Sequence, residues 1–162
     1  MTLLSDAEIK KWVAEGKLCI EPFAEKNLTP NGYDLTIEEV MIPGQAKVFD
    51  VMVPPLTRFV VSTRERVELN GPVAAQLWIR TTWARRGVLA AFGRIDAGFK
   101  GTLTLAAFNA SAEPLAVRAG ETFAQVVFEP LAGDLEKTYA QRSGNYQDQK
   151  GVTLAKNKSQ VV

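Results

Sequence analysis

The sequence contains no histidine and a single cysteine, Cys19. These two shortages exclude an intrachain disulfide and every catalytic triad that works through an imidazole. They also exclude zinc centres built from the usual histidine and cysteine ligands. The zinc-dependent nucleobase deaminases, which need such a set, go with them. Charge of either sign is scarce in excess: 19 Lys and Arg against 18 Asp and Glu leave a net charge of +1. No global positive field therefore argues for a polymeric nucleic acid as partner. Blocks of like charge are absent, which argues against a charged tail. No apolar run is long enough to cross a bilayer. The start, Met1 to Lys11, carries Asp6, Glu8, Lys10 and Lys11 and lacks the apolar centre of a signal peptide. A cytoplasmic location with no membrane partner is expected.

What is present suits a folded enzyme-sized unit. With 162 residues, 46% hydrophobic and 23% charged, the chain has enough apolar material for one core. A single domain over residues 1–162 is expected. Cys19 lies in the apolar run Leu18-Cys19-Ile20 and reads as a buried packing residue.

Ser5-Asp6-Ala7-Glu8 has the pattern of a capping box. Ile9, Trp12 and Val13 follow on one helical face, and Gly16 fits a stop. A short helix from Asp6 to Glu15 is predicted. The pattern then changes to short strands: Leu18–Glu21, Tyr33–Ile42, Lys47–Val53, Arg58–Ser62, Arg66–Leu69, Val73–Arg80, Val88–Ala91, Thr102–Asn109, Leu115–Arg118 and Thr122–Phe128. Asn31-Gly32, Pro43-Gly44, Asn70-Gly71-Pro72, Gly93, Gly98, Gly101 and Ala119-Gly120 punctuate them. Strands of this length and spacing predict an all-β barrel or sandwich, with one helical turn at Thr82–Arg86. Residues 141–162 are polar and aperiodic. Such a segment is either a frayed tail or a lid that orders over a ligand. Tyr146, Gln149 and Lys150 give it a ring, an amide and a charge.

Two stretches carry chemistry. Gly93-Arg94-Ile95-Asp96-Ala97-Gly98-Phe99-Lys100-Gly101 places one carboxylate, Asp96, in a glycine-punctuated turn with an aromatic ring three residues on. Glycines let a planar ligand approach the backbone closely, and a lone carboxylate among such groups is a candidate general base. An aspartate in a turn also caps neighbouring N–H groups, and Phe99 suits a core as well as a stacking platform. In Arg80-Thr81-Thr82-Trp83-Ala84-Arg85-Arg86 three arginines and two hydroxyls fall within two turns. Arginine forks and hydroxyls bind phosphate oxygens, although a solvated basic face reads the same way. Asp34, after Asn31-Gly32, is a structural cap, or it holds a water-bound metal ion or an arginine near the phosphates. Gln125 is a lone amide in an apolar strand and needs partners.

In order, Asn31-Gly32-Tyr33-Asp34-Leu35, Arg80-Thr81-Thr82, Gly93 to Gly101 and Ala119-Gly120 through Gln125 resemble the four successive motifs of the dUTPase and dCTP deaminase superfamily. The resemblance runs from Leu4-Ser5-Asp6 to about Thr153. The N-terminal helix, Ile20-Glu21-Pro22-Phe23, Arg85 and the tail from Gly144 to Gly151 look more like the deaminase branch. At the position of that branch's proton-shuttling glutamate, ten residues after the aspartate, stands Ala106. Loss of a general acid/base costs roughly 10²–10⁴-fold in rate. The chain thus resembles the archaeal-type dUTPases, which have a deaminase-like frame.

The resemblance implies a distorted, jelly-roll-like β-barrel with a short N-terminal helix, a homotrimer with sites between subunits, and hydrolysis of dUTP to dUMP and pyrophosphate. It implies that Asp96 activates water. Arg80, Thr81, Thr82, Arg85 and Gln125 hold phosphates and frame, and Gly93, Arg94 and Ile95 read the uracil edge. Phe99 packs on the sugar, while Tyr139, Tyr146, Gln149 and Lys150 close over the nucleotide. Mg²⁺ rides on the phosphates with Asp34 in its outer shell. Alternatives are a dCTP deaminase, bifunctional or not, and a non-catalytic deoxynucleotide-binding protein.

Overall fold

The computed structural model describes residues 2–155; residues 156–162, the end of the expected lid or tail, lie outside the described residues. Helix α1 (Asp6–Ala14) opens the chain. The Ser5 side chain accepts the Glu8 N–H at 3.3 Å, satisfying a donor that a first helical turn leaves without an internal partner. The helix ends at Ala14, one residue short of the expected Glu15, which is its C-cap, and Gly16 follows at φ +72°. Ile9 is fully buried, with Trp12 and Val13 packed beside it on the core.

Strands β1 (Leu18–Glu21), β2 (Leu28–Thr29), β3 (Gly32–Met41), β4 (Asp50–Val53), β5 (Thr57–Thr63), β6 (Arg66–Leu69) and β7 (Val73–Ile79) come next. Helix α2 (Thr81–Arg85) then leads to β8 (Val88–Ala90), β9 (Arg94–Ile95) and β10 (Lys100–Gly101). Strands β11 (Thr104–Asn109), β12 (Leu115–Arg118) and β13 (Thr122–Pro130) precede one last turn, α3 (Tyr139–Arg142). The main sheet runs β8-β11-β5-β3-β13-β7-β9, with β2 also on β3. Two small antiparallel sheets, β1-β6-β10 and β12-β4, complete the fold. The main sheet curls into a half-barrel, as the motifs led one to expect.

Burial explains the pattern. Along β11, Leu105, Ala107 and Asn109 face inward while Thr104, Ala106 and Phe108 face outward, the alternation of an antiparallel strand with one covered face. Strand β3 is buried throughout residues 32–37, because β5 and β13 flank it and both of its faces are covered. Gly32 therefore does more than turn the chain: a Cβ there would stand 2.6 Å from the Val126 carbonyl oxygen.

Three expectations need correction. The strand foreseen over Lys47–Val53 is shorter, with only a bridge from Val48 to Val40 ahead of β4. The strand foreseen over Thr102–Asn109 is broken, because Gly101 at φ +151° redirects the chain and the Thr102 N–H donates to Gln149 O at 3.1 Å. Cys19 is only half-buried, since Leu18 and Ile20 take the inward face of β1. Burial, then the Glu68 and Glu21 carboxylates, pushes its thiol up, which disfavours the reactive thiolate. Among the described residues no helix is long and apolar enough to cross a membrane.

Candidate active site

Asp96 sits where β9 ends and a tight turn begins. The Phe99 N–H donates to Asp96 O at 3.1 Å, and Gly98 supplies the positive φ of +86° inside that turn. Gly98 also has a second task. A Cβ at this position would lie 2.6 Å from the Thr138 Cβ, so its bareness admits the segment that starts α3. A Cβ on Gly101 would likewise stand 3.2 Å from the Gln149 backbone. Two of the three glycines thus receive the chain itself, while Gly93 faces open space and remains free for a ligand.

The turn borders a cavity of about 340 Å³. Gly93, Arg94, Ile95, Asp96, Phe99, Tyr139, Tyr146 and Gln149 all line it. Phe99 is buried, and its ring meets the Tyr139 ring edge-on at 5.7 Å and 68°. The Tyr146 N–H donates to the Tyr139 hydroxyl at 3.0 Å. These rings make one wall. Arg94 is ion-paired to Glu129, whose carboxylate also accepts from Gln76 Nε2 at 3.1 Å. Ala106 lines the same cavity, on the outer face of β11 opposite Val60. Asp96 is the only carboxylate among the described lining residues.

Asp34, Arg80, Thr81, Thr82 and Gln125 meet elsewhere, in a second concavity with Thr29, Trp78 and Ile79. None of the described residues lines both. Asp34 and Gln125 are cross-strand partners on β3 and β13, and Arg80 Nε donates to Asp34 Oδ2 at 2.8 Å. Arg80 also donates to the Thr122 hydroxyl. Burial raises the Asp34 carboxyl, while Arg80 and the Gln125 hydrogen bond pull it back. Gln125 Nε2 finds its acceptor in the half-buried Thr29 Oγ1 at 2.9 Å. Asp34 is therefore engaged in an ion pair with Arg80. No group of three potential metal ligands occurs among the described residues, so the donor set does not fit a protein-built Mg²⁺ cage.

Arg85 and Lys150, also expected at the site, are exposed and border neither concavity. The tail is not frayed where it is described. The Asp148 N–H donates to Lys100 O at 2.8 Å, and Val152 N–H to Glu39 Oε1 at 2.6 Å. Thr153 N–H donates to Thr104 Oγ1 at 2.9 Å. The tail runs beside β10 and β11 of its own chain and brings Thr153, Leu154 and Ala155 to the cavity. Sequence reading missed Arg58 and Phe92, which also line it. The usable signal for Arg58 was a cation alternating with apolar residues in a strand.

This curled β-sheet fold is similar to that of solved dCTP deaminase and dUTPase structures. The Agrobacterium tumefaciens 2'-deoxycytidine 5'-triphosphate deaminase superposes with a TM-score of 0.67 at 19% identity, covering 79% of this chain and 48% of that one. The EIAV dUTPase superposes with a TM-score of 0.53 at 18% identity, covering 77% and 98%. The family model for dCTP deaminase-like proteins matches residues 3–52 and 46–131, and the chain belongs to this enzyme family. A dCTP deaminase of Thermococcus kodakarensis is 38% identical over 154 residues, 91% of this chain and 96% of that protein. A probable deoxyuridine 5'-triphosphate nucleotidohydrolase of Sulfolobus islandicus rod-shaped virus 1 is 33% identical over 159 residues, 95% and 98% of the two.

Proposed function

We propose that the chain is a dUTP diphosphatase, yielding dUMP and pyrophosphate. One observation carries this reading: Ala106 lines the cavity that holds Asp96, and no second carboxylate joins them among the described lining residues. Deamination at a pyrimidine C4 needs a group that takes a proton from water and delivers one to the departing amine. Phosphoanhydride hydrolysis asks less of the protein. It needs a positioned water, a carboxylate to accept its proton, and donors around the phosphates. Asp96 fills the second role. The Gly93 to Ile95 backbone and the Phe99, Tyr139 and Tyr146 rings suit a nucleoside, with Gln149 on the tail side.

Arg80, Thr81 and Thr82 suit the phosphates, but they lie in the other concavity. We therefore place the complete site between copies, one chain's arginine-hydroxyl cluster facing the next chain's cavity in a homotrimer. Mg²⁺ arrives as part of the Mg–triphosphate substrate and takes no ligand cage from this chain. Asp34 serves by holding Arg80 in place.

A second reading, dCTP deamination, is favoured by the names of most relatives, the Thermococcus kodakarensis protein among them. Phosphorus NMR of purified protein with Mg–dUTP tests the first. Pyrophosphate formed by the wild type and abolished by Asp96→Asn supports hydrolysis at this cavity. Intact dUTP after many enzyme equivalents of time, beside ammonia released from dCTP, overturns it.

A further inference from the structure

Three charged side chains line the cavity: Arg58, Arg94 and Asp96. Arg94 is committed to Glu129 and Asp96 to the chemistry proposed above. Arg58 has no assigned role. It projects from β5, where it pairs in register with Phe108, while Val60 two residues on pairs with Ala106. Residues two apart on a strand share a face, and diagonal neighbours across an antiparallel pair are within reach of a long side chain. Arg58, Val60 and Ala106 therefore form one end of the cavity. Val60 is fully buried there against Met41 and Val152, with Ala106 packed beside them. Among the described residues Arg58 has neither an ion-pair nor a hydrogen-bond partner. Arg58 is the cationic residue at this end of the cavity, diagonally across from the small Ala106 side chain.

A guanidinium offers five N–H donors and no acceptor, and it never loses its charge in a protein. A ligand edge that docks against it must bring lone pairs. A 4-oxo pyrimidine presents a carbonyl oxygen there. A 4-amino pyrimidine presents two more N–H donors and meets donors with donors. The mismatch leaves N–H groups without acceptors where the ligand covers them, which discriminates more strongly than a loss of apolar contact. The aromatic wall of Phe92, Phe99, Tyr139 and Tyr146 suits the nucleoside portion, whereas the hydroxyl-rich cluster with Arg80 suits phosphates. A base edge is thus the part of a nucleotide that reaches Arg58.

We propose that Arg58 is a specificity-determining residue that donates to the carbonyl edge of the bound base and rejects a base bearing an amine at that position. This rests on the nucleotide reading above but not on which bond is cleaved. The test is calorimetric titration of the wild type and of Arg58→Met with dUMP and with dCMP, which separates recognition from turnover. Arg58→Met should lower dUMP affinity about tenfold or more, as expected for losing a charge-assisted hydrogen bond, and leave dCMP affinity within about twofold. Arg58→Lys, which keeps the charge but loses the fork, should recover only part. Circular dichroism checks that the exposed substitution leaves the fold intact. Equal losses for both nucleotides would show a general phosphate contact and overturn the inference, as would unchanged discrimination. A wild type that binds neither nucleotide removes the nucleotide reading itself. A wild type that hydrolyses dUTP while Arg58→Met retains full base discrimination overturns the role of Arg58 alone.

Discussion

Gln149 and Thr102 grip each other at three points. The Thr102 N–H donates to Gln149 O at 3.1 Å, its hydroxyl reaches the same oxygen at 3.3 Å, and Gln149 Nε2 returns a bond to Thr102 O at 2.7 Å. This exchange fastens the tail to the chain just where Gly101 interrupts the strand pairing. Gln149→Ala should remove the side-chain bond and weaken docking of residues 145–155. A neutral hydrogen bond contributes about 0.5–1.5 kcal/mol, so the undocked population should rise about two- to tenfold. Amide hydrogen exchange across residues 145–155 measures this, with the core strands as unchanged reference.

Arg80 and Asp34 form a partly buried pair, and its loss has a signed pH dependence. Removing the guanidinium leaves burial as the dominant influence on Asp34, so its folded-state pKa rises further above the unfolded value. The folded protein then binds more protons than the unfolded one across that interval, and stability falls as pH rises through it. Arg80→Met should therefore be destabilised more at about pH 7 than at about pH 4, by about 1–3 kcal/mol at the higher value. Urea unfolding at the two pH values checks the difference. A deficit that grew on acidification would contradict the pairing.

Gly98→Ala combines a left-handed backbone position with a collision at Thr138. Strain of this kind costs about 1–3 kcal/mol, and the collision displaces α3 with Tyr139. The expected result is a lowered melting temperature together with a raised KM, because one cavity wall moves. Gly44→Ala, also at positive φ but with nothing within 4 Å, carries the backbone strain without the collision. It should lower the melting temperature alone.

Asp96→Asn keeps the shape and the turn while removing the proton acceptor. Turnover should fall by about 10²–10⁴-fold, and nucleotide affinity should change little. Single-turnover kinetics beside equilibrium binding separates the two. Matching losses in both would mean that Asp96 serves binding instead of proton transfer.

Much of this was legible in the sequence, for identifiable reasons. Ser5 before α1 is a local signal, and the helix forms where that signal stands. The Gly93 to Gly101 segment could be read as a glycine-punctuated turn carrying a lone carboxylate, and that turn borders a cavity. The use of Gly98 and Gly101 for the chain's own tail was not legible, since it depends on contacts with Thr138 and Gln149 that are far away in sequence. The division of the expected residues between two concavities was hidden for the same reason. Spacing along β7 does not reveal that Leu77 borders one hollow and Ile79 the other. Arg58 escaped notice because a single cation in a strand becomes informative only when Ala106 is known to lie diagonally across from it.

The central claim is that a cavity with Asp96 and Ala106 hydrolyses a triphosphate and leaves a C4 amine alone. The most direct test is quantitative product analysis with Mg–dUTP and Mg–dCTP supplied separately to the purified protein, scoring pyrophosphate, monophosphates and ammonia. The account predicts dUMP and pyrophosphate in equal amounts from dUTP and no ammonia from dCTP. Ammonia from dCTP at a rate matching or exceeding dUTP turnover would contradict it.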